Sequence, residues 1–93
     1  MPIWAVKPRK CTTNTVVVKA SAGQFFGAVV KAATNACTVK ICDNDAAATN
    51  EVMEIKAGAG EVASVLLPYP LSMTAGIVAS KDQTNAVMYI YYR

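Results

Sequence analysis

Histidine is absent from this 93-residue chain. That removes the side chain most often used as a general base at neutral pH, and with it the commonest zinc ligand. Charge is scarce too: 16% of residues are Asp, Glu, Lys or Arg, against 54% hydrophobic. Such a balance belongs to neither a disordered segment nor a solvating tail. Cysteine is limited to Cys11, Cys37 and Cys42, an odd number that does not close a disulfide framework. Cys37 and Cys42 stand in one apolar run at a spacing that sends their side chains to opposite faces of a strand. The expectation is three reduced, buried thiols serving as small apolar side chains, as suits synthesis and folding in a cytosol. The N-terminal residues lack a basic region followed by an apolar run, so no secretory signal is expected. The uncharged stretch 62–80 approaches membrane-spanning length, but Pro68, Pro70 and Gly76 interrupt it. A helix in lipid would leave backbone groups unpaired there, and two buried strands joined by a Pro-rich bend are expected instead.

The length is that of one small domain. A chain of this size buries about 60–65% of its unfolded surface, a thin margin that neighbouring subunits can widen. The net charge is +3, and it is concentrated. Lys7, Arg9 and Lys10 supply the excess, while the remaining Lys and Arg balance the six acids. The neutral body has no long-range field to steer it onto nucleic acid, and no specific nucleic-acid partner is expected.

Apolar runs alternate with turn residues at intervals of roughly 8–12 residues, the spacing of a sandwich or barrel. Residues 1–10, with Pro2 and Pro8, read as an extended N-terminal arm with Ile3, Trp4 and Val6 as apolar anchors. Residues 11–93 read as the β domain. Strands are expected at 12–20, 24–33, 36–42, 51–57, 61–67, 77–80 and 86–92, with a short segment, 71–74, after the Pro bend. In the second of these, Phe26, Ala28 and Val30 are expected on one face and Phe25, Gly27 and Val29 on the other. No segment has helical periodicity. The predicted fold is all-β: an antiparallel two-sheet β-sandwich of about seven strands.

Candidate chemistry is sparse. Asp43-Asn44-Asp45 has calcium-type oxygens but lacks the glycine and downstream bidentate Glu of a calcium loop, and reads as a strand-ending turn. Gly58-Ala59-Gly60 has no third glycine and no following helix, so a hairpin turn is expected rather than a dinucleotide site. The acids are scattered over strand ends and turns, and thiols in an apolar strand are inert. No enzyme activity, cofactor or metal is expected.

The aromatic residues are clustered. Tyr89 and Tyr91 share one face of the last strand, and Tyr92 lies opposite with Met88 and Ile90. Tyr and Trp are enriched at protein interfaces, and aromatic platforms also stack on sugars. Several strands are apolar or small on both faces, more than a sandwich solvated on both outer faces needs. That excess predicts contact with another chain.

The run Gly23-Gln24-Phe25-Phe26-Gly27-Ala28-Val29-Val30-Lys31-Ala32 is followed by Ala36-Cys37-Thr38-Val39-Lys40-Ile41-Cys42-Asp43-Asn44. A small-residue loop, an apolar strand, Pro68-Tyr69-Pro70, Ala75-Gly76-Ile77 and a Tyr-rich final strand complete the pattern. Over about residues 12–92 this resembles the small β-sandwich virion proteins of tailed bacteriophages, such as capsid decoration (cement) proteins and related head or tail accessory proteins. The resemblance implies a non-enzymatic structural subunit on the capsid surface, made in the host cytoplasm. Its implied partners are the major capsid protein and neighbouring copies of itself, with a homotrimer as one arrangement and no membrane contact. The expected partner-binding residues are Ile3, Trp4, Val6, Lys7, Arg9, Lys10, Tyr89 and Tyr91. The alternatives are a carbohydrate- or receptor-binding β-sandwich module and a head–tail or tail accessory subunit.

Overall fold

A computed structural model describes residues 6–93 of the chain. All regular structure among them is strand. In chain order the strands are β1 (Lys7–Cys11), β2 (Thr15–Lys19), β3 (Gly23–Lys31), β4 (Cys37–Cys42), β5 (Glu51–Ala57), β6 (Val62–Met73), β7 (Ile77–Lys81) and β8 (Val87–Tyr92). They form two four-stranded antiparallel sheets, ordered β1-β8-β3-β6 and β2-β7-β4-β5. The predicted all-β sandwich is the fold observed, with one strand more than expected.

Every connection except β4 to β5 carries the chain from one sheet to the other. Most consecutive strands therefore lie in opposite sheets, and sheet neighbours other than β4 and β5 come from distant parts of the chain. The core is built from the inward residues of both sheets: Phe25, Val30, Met88 and Ile90 from the first, and Val39, Ile41, Ile55 and Ile77 from the second. Alternation accounts for most of this selection, because successive strand residues point to opposite faces.

Three local features depart from the sequence expectation. Residues 7–10, read as an arm, form most of the edge strand β1, in register with β8 from Lys7 opposite Tyr92 to Cys11 opposite Met88. Three cations and a proline in five positions hide the strand from a hydrophobic pattern. Second, the stretch with Pro68 and Pro70 stays within β6 instead of ending it. A sheet edge tolerates prolines because one side of the strand has no ladder to serve. Third, both ladders of β3 shift between Phe25 and Gly27. The extra residue, Phe26, inverts the alternation, so Phe25 joins Ala28 and Val30 in the core. The expected faces of β3 are thus corrected at that bulge.

The turns close on their own polar groups. Glu61 N–H donates to Gly58 O at 2.9 Å, and Gly60 has φ 70°, the left-handed value a tight turn needs at that position. None of the described residues forms a helix long and apolar enough to cross a membrane. Residues 62–80 do hold two strands, β6 and β7, but they turn at 74–76 and not at the prolines, and β6 is a largely exposed edge strand where a buried one was expected.

Candidate protein-binding face

The ladders of the first sheet fix which residues stand side by side on its outer surface. One row across the sheet runs Pro8, Tyr91, Gly27, Leu66. The next runs Lys10, Tyr89, Val29, Ser64. A third runs Val87, Lys31, Val62. Directly opposed residues share a face, and the intervening rows carry the buried Cys11, Met88, Ile90, Ala28 and Val30. The rows named first are therefore the outward ones.

This surface is apolar and aromatic. Leu66 is 83% exposed and Val62 61%, while Tyr89, Tyr91, Val29 and Val87 are half-buried. Its charged members, Lys10 and Lys31, are both cations and both exposed. Gly27 shapes the middle. A Cβ at that position would run into the carbonyl oxygen of Val65, so only glycine lets β6 approach β3 this closely. The missing side chain leaves the face low between Tyr91 and Leu66.

The outer face of the second sheet is different. Thr38, Lys40, Glu54, Lys56, Ser80 and Asp82 border a shallow polar depression there. Lys56 Nζ lies 3.5 Å from Glu54 Oε1, and Lys40 Nζ lies 3.8 Å from Glu51 Oε1. Exposed pairs of this kind contribute little to stability, but they mark a solvated surface. The two outer faces thus divide into an apolar one with a basic edge and a polar one of mixed charge.

Of the residues singled out from sequence, Lys10, Tyr89 and Tyr91 come together on the apolar face, with Lys10 directly opposite Tyr89. Lys7 and Arg9 alternate to the other side of β1, where they are exposed at the edge of the sandwich. Val6 is half-buried just before β1. Ile3 and Trp4 lie outside the described residues. Tyr92 packs against the core beside Met88 and Ile90, as its parity predicts. Pro8, Val29, Val62 and Leu66 are members of the face that sequence reasoning missed. Their alternation was visible, but which side faced outward depended on the strand order and on the bulge at Phe26.

The other candidates are structural. Asp43 Oδ1 accepts from Ala75 N–H at 2.8 Å, and Oδ2 accepts from Thr74 N–H at 3.1 Å and Thr74 Oγ1 at 3.0 Å. These donors, Ala75 N–H foremost, hold the carboxyl below its ordinary range. Asn44 Oδ1 accepts from Ala46 and Ala47 N–H at 3.0 Å each, an Asx turn that starts the following loop. Among the described residues no three potential metal ligands cluster. Cys11, Cys37 and Cys42 are free and buried, and burial raises each thiol above its ordinary value.

No protein-family model, curated protein or solved structure matches this chain.

Proposed function

We propose that this protein is a structural subunit of a tailed-phage particle, a decoration protein that lays the outer face of its first sheet on the major capsid protein. The observation that carries the reading is the asymmetry between the two outer faces. One is solvated by mixed charge. The other presents Tyr89, Tyr91, Leu66 and Val62 with cations alone among them. An apolar patch rimmed by charge is the composition of a protein contact. The face supplies the binding surface, and the resemblance of the sequence pattern to small virion sandwiches supplies the partner. The cations of the face, Lys10 and Lys31, favour an acidic border on that partner. Repeated over a shell, many identical contacts add up to a large stabilisation.

The test is a mass-spectrometric count of the protein in purified particles, joined to a binding assay with two variants. Hundreds of copies per particle are expected. About six or twelve would place it at a connector or tail, since copy number follows the symmetry of the site. Tyr91→Ser and Tyr89→Ser are each expected to weaken attachment by about 30-fold, the effect of losing about 2 kcal/mol at an aromatic anchor. Both tyrosines are on the outer surface, so the far-UV spectrum of each variant stays that of the parent. Absence from particles, with glycan binding that the same substitutions abolish, would assign the face to sugar instead.

A further inference from the structure

A β-sandwich of two open sheets has four edge strands, and each edge offers unpaired backbone groups to any strand that approaches. Here three of the four are protected. β1 carries Lys7, Pro8, Arg9 and Lys10. β5 carries Glu51, Glu54 and Lys56. β2 is five residues long, and its ladder is broken between Val17 and Lys19. β6 is the exception. Its second half is blunted by Pro68 and Pro70, but residues 62–67 contain no charge, proline or glycine. Val62 and Leu66 on this segment are among the most exposed apolar side chains described.

We propose that residues 62–66 of β6 pair antiparallel with the same residues of a second copy, joining the first sheets of two subunits into one continuous sheet. Charge selects the occupant. The edges β1 and β5 would set Lys, Arg, Glu or Pro against an uncharged strand, and β2 offers only four uncharged residues beside a break in its ladder, whereas β6 meets an equally uncharged strand in its own copy. Geometry selects the register. Directly opposed residues must share a face, so the two-fold axis falls on a residue and not between two. With the axis at Ser64, Val62 sits opposite Leu66 of the second copy, twice over, and Ala63 sits opposite Val65. Cross-strand apolar pairs of this kind are the unit of sheet stabilisation. The arrangement also closes. β6 is consumed by the pairing and β1 at the far edge is protected, so the joined sheet ends at two subunits instead of growing into a fibre.

The pairing shares Val62 and Leu66 with the face proposed above but does not use Tyr89 or Tyr91, so the tyrosine variants read the capsid contact and self-association reads the edge. It is tested by sedimentation equilibrium on the full chain with two variants. The parent is expected to reach twice its 9.8 kDa chain mass as concentration rises. The double variant Val62→Lys with Leu66→Lys is expected to stay at single mass with an unchanged far-UV spectrum, since both side chains project outward. Ser64→Cys is expected to form an interchain disulfide on mild oxidation, the three native thiols being buried. A parent that remains monomeric up to about 1 mM overturns the proposal. So does a dimer that survives both lysines. If the lysine variant fails to fold, Ser64→Cys decides alone, and the absence of an interchain disulfide rejects the pairing.

Discussion

Asp43 and Lys81 show how single polar side chains hold this sandwich together at places where apolar packing stops. Asp43 ends β4 and binds the backbone that leads into β7, tying two strands through one carboxylate. Its folded value is depressed, so the stabilisation is complete above the ordinary 3.8 of an unfolded Asp. It is lost as pH falls through the lower folded value. Asp43→Asn is expected to lower the melting temperature at pH 7, and the difference from the parent should shrink in strong acid. Parallel melts across that range check it. Lys81 is 3% exposed and faces inward, in register with Val39. Its ammonium donates to Asn14 Oδ1 at 3.1 Å, Gln83 O at 2.9 Å and Thr84 O at 3.1 Å. Three donors meet three acceptors, which is how a charge survives burial without a carboxylate. Lys81→Met keeps the apolar stem but strands those oxygens, and a loss of about 1–3 kcal/mol in denaturant unfolding is expected. In the sequence Lys81 stands beside Asp82, Gln83, Thr84 and Asn85, a polar run that by itself signals a solvated turn. Its buried role depends on Asn14, which only the fold brings near.

At the scale of the element, strands with clean alternation were readable and strands with a local exception were not. β4 matches its expected span to within one residue, and β5 matches in full, because Val39, Ile41, Met53 and Ile55 alternate with polar neighbours. β1 was hidden because four of its five residues are Lys, Arg or Pro, and it is a strand by virtue of the β8 edge it covers. β6 was cut short by the ordinary meaning of proline. The face of Phe25 was inverted by one bulged residue, a feature that periodicity cannot register. The strand status of residues 7–11 has a measurable consequence. Deleting residues 2–10 strips most of β1 from β8, and with it several ladder hydrogen bonds at about 0.5–1.5 kcal/mol each. The truncated protein is expected to unfold at a lower denaturant midpoint. Contact with a partner is therefore better probed by Lys10→Ala, which leaves the ladder in place.

For the whole molecule, length indicated a single unit and the spacing of turn residues an all-β one, and the distribution of apolar residues pointed to more apolar surface than one sandwich hides. The position of that surplus was legible only in part. Tyr89 and Tyr91 were found because they cluster in sequence, while Val29 on β3 and Val62 and Leu66 on β6 join them only through the sheet order. The cysteines report on the integrity of the same whole. All three are buried, and burial raises each thiol above its ordinary 9.0. At neutral pH, alkylation is expected to follow opening of the sandwich, so that its rate climbs with denaturant across the unfolding transition. The stabilisation from keeping the thiols protonated is full below pH 9.0 and declines as pH rises through their higher folded values.

The pairing of β1 with β8 also governs when the protein can acquire its shape. The earliest described strand to leave a ribosome has its sheet neighbour in the last. Until residues 87–92 emerge, β1 has no ladder and β3 lacks one of its two neighbours. A nascent chain therefore waits, uncommitted, until β8 has emerged and then folds in a step dominated by distant contacts.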